Sequence, residues 1–301
     1  MVVASILQNR SSLALGNVVG SSISNILGAF SLGLLFHPGR LEFDRSAKVY
    51  TALQFFVTTG FAIAALTNSL GWLAGVILIG VFVLYVVSVS YTIYKGVLDP
   101  PEDSESDDSD DDISSRSASA VVQHNNFPTE TSSLLPPSTD EENSARHWNH
   151  SLLYHIVQLA LGFMALSLSG YVISHSAASI ADSFNLSGTV LGITVLSFAT
   201  TLPEKLVAVI GGARGHGGIV VASTAGSNIF LLTLCLGITL VVGSQEEEFV
   251  QSLIPFELFV VWASSALFSL IVLFGSSRWI GGVLLMFYAA FIVLEFTIYR
   301  R

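Results

Sequence analysis

The chain has 301 residues, of which 51% are hydrophobic and only 11% charged, with a mean hydropathy of +0.68. A soluble domain carries about 25% charged residues, so this composition excludes a protein whose surface is mainly wetted. The formal net charge of −10 is concentrated in one acidic segment; no nucleic-acid partner is expected.

The apolar residues arrive in runs near the length, about 20 residues, that carries a helix across the hydrocarbon core. They do not alternate as barrel strands would. Eight spans are predicted, at about 13–36, 49–67, 71–94, 152–182, 188–211, 217–242, 254–274 and 278–299. The fold class is therefore an all-α, multi-pass membrane protein with the lipid bilayer as its first partner. Met1 to Ser12 is short and mixed, and the first apolar run continues as a full span, so no cleavable signal peptide is expected. The one cysteine, Cys235, lies in an apolar run and can form no internal disulfide.

In chain order, the first span carries Gly16-Asn17-Val18-Val19-Gly20-Ser21-Ser22-Ile23-Ser24-Asn25. Three spans fill residues 1–97. Residues 98–150 then turn polar, with Asp107-Asp108-Ser109-Asp110-Asp111-Asp112 among serines and prolines. Such a segment cannot bury enough apolar surface to fold alone and reads as an acidic, disordered linker. It lacks the ligand spacing and turn glycine of a calcium loop. Five spans occupy residues 151–301. With eight alternating spans, Arg40, Arg45, Lys48, Lys95, Arg116, Arg146, Arg214 and Arg278 fall on one side and Arg10, Arg300 and Arg301 on the other, and the positive-inside rule makes the first side cytosolic.

The fifth span contains Thr200-Thr201-Leu202-Pro203-Glu204. A carboxylate deep in a span costs roughly 2.5–3.5 kcal/mol on insertion scales and marks a pathway. Pro203 removes a backbone donor and breaks the helix, freeing a carbonyl near position 199. In a continuous helix Thr200 and Glu204 share a face, with Thr201 beside them. Carboxylate, hydroxyl and carbonyl oxygens are hard ligands of the kind calcium and sodium favour. The alternative is a Glu204 that pairs with Lys205 and has no ligand role. The sixth span carries Gly226-Ser227-Asn228-Ile229-Phe230, which offers two side-chain oxygens or serves only helix packing. Gly20-Ser21-Ser22-Ile23 aligns with Gly226-Ser227-Asn228-Ile229, and the two spans have opposite polarity. That is the mark of an inverted repeat with a ligand site near the midplane.

Thr200 to Glu204, followed by Gly226 to Phe230, resembles the second alpha-repeat of the sodium/calcium exchanger family within the calcium/cation antiporters. Gly16 to Asn25 resembles the later part of the first. The resemblance implies an exchanger fold of ten helices in two inverted halves, exchanging calcium against sodium or protons, with no cofactor and no enzymatic activity. It makes Glu204 the acidic ligand, with Thr200 and Thr201 beside it, Ser21 and Asn25 from the first half, and Ser227 with Asn228 from the second. Glu204, Thr200 and Ser227 would be direct ligands of calcium or sodium. Two departures stand out. Nothing before Gly16 supplies the first repeat's acidic helix, so the chain is expected to lack the first two helices. Leu231 stands where the second repeat often has a further polar ligand. The expected function is a cation antiporter in an organelle membrane (vacuole or endoplasmic reticulum) or the plasma membrane. The alternatives are an exchanger-derived scaffold or regulatory subunit that does not transport, or a truncated gene product.

Overall fold

The computed structural model describes residues 11–94, 140–184, 187–242 and 253–298, and among these it contains helices, turns and no strand. The helices are α1 (Ser12–Phe36), α2 (Arg45–Leu66), α3 (Trp72–Tyr94), α4 (Asp140–Phe184), α5 (Gly188–Thr200), α6 (Leu202–Ala213), α7 (Gly217–Val242), α8 (Pro255–Phe274) and α9 (Arg278–Thr297). Seven are long and apolar enough to cross a membrane. The pair α5–α6, bent by 47°, makes an eighth span. The eight expected spans are all present. One boundary differs: α4 begins at Asp140, inside the stretch assigned to the linker, and the acidic run lies outside the described residues.

The chain divides into a unit of Met1–Pro100 with Leu166–Arg301, and a second of Pro101–Ala165 whose described part is the first portion of α4. Within the larger unit the most apolar span is among the least buried, and the most buried span is among the least apolar. The span in α3 has a hydropathy of 2.6 and only 6% of it is buried, whereas α1 has 1.6 and is 89% buried. Lipid rewards the most apolar helices on the outside, and polar side chains are tolerated only where neighbouring helices satisfy them. Helix α1 is thus the central element. Its Asn17, Ser21, Ser22, Ser24, Asn25 and Ser31 are all buried, alongside Val18, Ile23, Ile26 and Phe30. Phe30 meets Phe268 of α8 edge to face, with 4.7 Å between ring centroids.

Glycine lets two helix backbones touch at the centre. A Cβ on Gly20 of α1 would lie 2.3 Å from the Ile193 carbonyl oxygen of α5. Three stretches of π-helix interrupt the spans: Ser24–Phe30 in α1, Gly192–Leu196 in α5 and Leu231–Cys235 in α7. The first begins directly after the aligned Gly-Ser motif and the third one residue after it, so the internal repeat extends from sequence to backbone geometry. Such wide turns are frequent at functional positions.

Helix starts are set by local chemistry. The Asp44 carboxylate accepts the Ala47 N–H at 2.9 Å and caps α2, and Ser187 caps α5 through the Val190 N–H at 3.2 Å. Glu257 accepts the Ile254 N–H at 2.9 Å, so this buried acid has a capping role at the start of α8. Asp44→Ala is expected to lower stability by about 1 kcal/mol, the usual worth of such a cap, read as a lower unfolding midpoint in detergent.

Candidate functional site

Halfway along the bent span, the backbone turns at Thr201 (φ −96°, ψ 11°) and restarts as α6 with Pro203 in its first turn. Proline fits there because first-turn N–H groups have no helical acceptor to lose. The bend falls between Thr200 and Glu204, so the shared face of a continuous helix does not relate them. What the break does is turn both threonine hydroxyls toward α1.

Three polar groups result. In the first, Thr200 Oγ1 donates to Asn17 Oδ1 at 3.2 Å and lies 3.4 Å from Ser21 Oγ, which itself reaches Asn17 Oδ1 at 3.4 Å. In the second, Ser24 Oγ and Thr201 Oγ1 are 2.8 Å apart, the Tyr288 hydroxyl of α9 donates to Ser24 Oγ at 2.9 Å, and Lys205 Nζ donates to both Ser24 and Thr201. In the third, Asn25 Nδ2 donates to Asn228 Oδ1 at 3.1 Å, and Asn228 Nδ2 donates to the Ser22 carbonyl at 3.2 Å, which ties the two aligned motifs together.

The expected site residues therefore separate. Ser21 is brought to Thr200, Asn25 to Asn228, and Thr201 to Ser24. Ser227 is half-buried and its side chain takes part in none of these hydrogen bonds. Glu204 is half-buried in the first turn of α6, and its Oε2 is buried with no hydrogen-bond partner. Asn25 Oδ1 is likewise buried and unpartnered. Leu231, the residue aligned with Asn25, is apolar and opens the third π-helical stretch, so the two halves contribute unequally. Among the described residues no three His, Cys, Asp or Glu side chains gather in a way that could hold a metal. Any cation held here is held largely by neutral oxygens.

Sequence reasoning does not single out Asn17, Ser24, Lys205 or Tyr288. Asn17, Ser21 and Ser24 stand at i, i+4 and i+7, one polar stripe on an apolar helix, so that signal was available. The sequence suggests Lys205 only as a partner for Glu204, yet its ammonium points to Ser24 and Thr201. His175 is exposed and stacked on Tyr171, and His216 is exposed just before α7; neither joins the oxygen groups.

The family model described as sodium/calcium exchanger protein matches residues 1–91 and 154–297. A putative antiporter, CaxA, of Alkalimonas amylolytica is 26% identical over 231 residues, which is 77% of this chain and 61% of that protein. The sodium/calcium exchanger MaX1 of Methanosarcina acetivorans is 31% identical over 149 residues, 48% of this chain and 41% of its own length. This chain thus spans less than two thirds of these relatives. A solved structure of the sodium-calcium exchanger NCX_Mj superposes with a TM-score of 0.57 at 20% identity, covering 97% of this chain and 80% of that one. At that identity the likeness concerns the fold, which is the exchanger fold. Spans, fold and family match together make this a multi-pass integral membrane protein, and the chain belongs to the sodium/calcium exchanger protein family.

Proposed function

We propose that this chain is a carrier that exchanges a calcium-type cation against sodium or protons, with the ion seated where α1 meets the α5–α6 break. The observation that carries this reading is the pair of buried oxygens, Glu204 Oε2 and Asn25 Oδ1, that have no hydrogen-bond donor. Leaving a buried acceptor unsatisfied costs about 1–3 kcal/mol, and a cation is the partner that would satisfy an oxygen no N–H reaches. The surrounding hydroxyl, amide and carboxylate oxygens are hard donors suited to calcium and sodium, and the set offers no sulfur or imidazole to a transition metal. On this reading Glu204 supplies charge, while Thr200, Ser21 and Asn25 supply neutral oxygens. Ser227, Asn228 and Thr201 are the remaining candidates, with Asn228 and Thr201 now engaged in hydrogen bonds. Protein groups bind and orient the ion, and no covalent step is involved.

A second reading, an exchanger-derived scaffold that does not transport, is favoured by Leu231 and by Glu204 being, among the described residues, the one carboxylate at the break. Purified protein in liposomes separates the two. Calcium uptake driven by an outward sodium or proton gradient is expected, and whichever gradient drives it identifies the counter-ion. Folded protein that accumulates no calcium under either gradient would establish the scaffold instead.

A further inference from the structure

A positive charge already sits inside the oxygen cluster. Lys205 is only 7% exposed, its Nζ donates to Ser24 Oγ at 2.8 Å and to Thr201 Oγ1, and it lies 4.7 Å from the centroid of the Phe198 ring. Its partners are thus two hydroxyls and an aromatic face, a set of neutral groups of the kind that holds a bound cation.

The direction of each hydrogen bond is fixed by counting protons. Thr201 Oγ1 donates its single proton to the Ser197 carbonyl at 2.7 Å. The Tyr288 hydroxyl donates to Ser24 Oγ. The 2.8 Å contact between Ser24 and Thr201 is then left to the Ser24 proton. Each hydroxyl oxygen consequently gives one proton and accepts two, one of them from Lys205, which exhausts its two lone pairs. Neither oxygen can ligate sodium or calcium while the ammonium is in place. The surrounding chain makes room for that arrangement. A Cβ on Gly28 would lie 3.2 Å from Lys205 Cε and 3.6 Å from both Ser24 Oγ and Tyr288 Cε1. The lysine stem passes over the one residue of that turn that has no side chain.

We infer that Lys205 is a tethered cation that fills one sodium-class place between α1 and α6, so that this chain binds one monovalent ion fewer than the same site would with Lys205 removed. The inference rests on the antiporter reading and adds to it a residue that sets ion count and selectivity. A fixed charge next to Glu204 in sequence also repels an incoming divalent ion and so weakens calcium binding.

The test uses the full chain, purified in detergent, with radioactive sodium and calcium binding measured at equilibrium on wild type, Lys205→Met and Lys205→Arg. Lys205→Met is expected to bind one more sodium ion per chain and to half-saturate with calcium at a concentration lower by about tenfold or more. Lys205→Arg, which keeps the charge, is expected to keep the wild-type sodium count. Lys205→Gln, which keeps donors to Ser24 and Thr201 without the charge, gives the same reading if Lys205→Met does not fold. Wild-type binding with an unchanged sodium count in the neutral variants overturns the inference alone. Silence of wild type and all variants toward both ions overturns the inference and the antiporter reading together. A silent wild type beside a neutral variant that binds sodium supports the tethered cation and assigns the native chain to the scaffold reading.

Discussion

Glu204→Gln is expected to abolish gradient-driven calcium uptake while leaving the ion-free unfolding midpoint within a few degrees of wild type. The loss of uptake is a consequence of charge. Among the described residues Glu204 is the one carboxylate at the break, and its Oε2 is buried without a donor. An amide of similar size keeps an oxygen there but removes the charge that draws a divalent ion out of water. The unchanged midpoint reflects two opposing terms of similar size. Replacing a buried, unsatisfied charged oxygen by a neutral amide lowers its desolvation cost by about 1–3 kcal/mol. The same change takes a negative charge from beside the buried Lys205 ammonium, which costs a comparable amount. The discriminating readout is therefore the shift that calcium induces. A ligand at 100 times its dissociation constant stabilises the native state by about 2.7 kcal/mol, and the variant is expected to show no such shift. A Glu204→Gln protein that is still stabilised by calcium and still transports it would remove Glu204 from the site.

The spans were legible because hydropathy alone decides what can cross a bilayer, and the chain states it in long unbroken runs. The break at Thr201 was legible for a similar reason: Pro203 cannot donate in a helix wherever it sits. The start of α4 was not. Asp140 to His150 is as polar as the segment before it, and whether a polar stretch belongs to a helix depends on the apolar span to which it is joined. Opposite limits applied at the site. The pairing of aligned Gly-Ser motifs pointed to α1 and α7 as partners, and Asn25 does meet Asn228. The role of Lys205 was hidden because its contacts lie across the fold. Ser24 is 181 residues away in sequence, and the direction of the lysine depends on how far α6 is rotated by the bend. Tyr288 shares the buried face of α9 with Glu295, seven residues on, but only the packing of α9 on α1 brings its hydroxyl to Ser24.

Gly20→Ala is expected to destabilise the protein by about 3 kcal/mol, at the upper end of what overpacking costs, and to abolish cation binding with it. The added methyl would lie 2.3 Å from the Ile193 carbonyl oxygen, 2.5 Å from its Cα and 2.7 Å from its carbonyl carbon. All three are backbone atoms, so no rotamer change relieves the overlap, and α1 and α5 must move apart. That separation acts on function through the next residue. Ser21 Oγ stands 3.4 Å from Thr200 Oγ1, already at the edge of hydrogen-bond distance, and a further shift of the helices ends the contact. Gly60→Ala in α2 supplies the control, because nothing lies within 4 Å of its Cβ position. Alanine there is expected to be neutral or to stabilise by up to about 1 kcal/mol through helix propensity. Thermal unfolding of both variants in detergent, together with the fraction that remains monodisperse, measures the difference. Equal midpoints for the two variants would mean that the α1–α5 contact tolerates a side chain and that backbone proximity does not position the oxygens of the site.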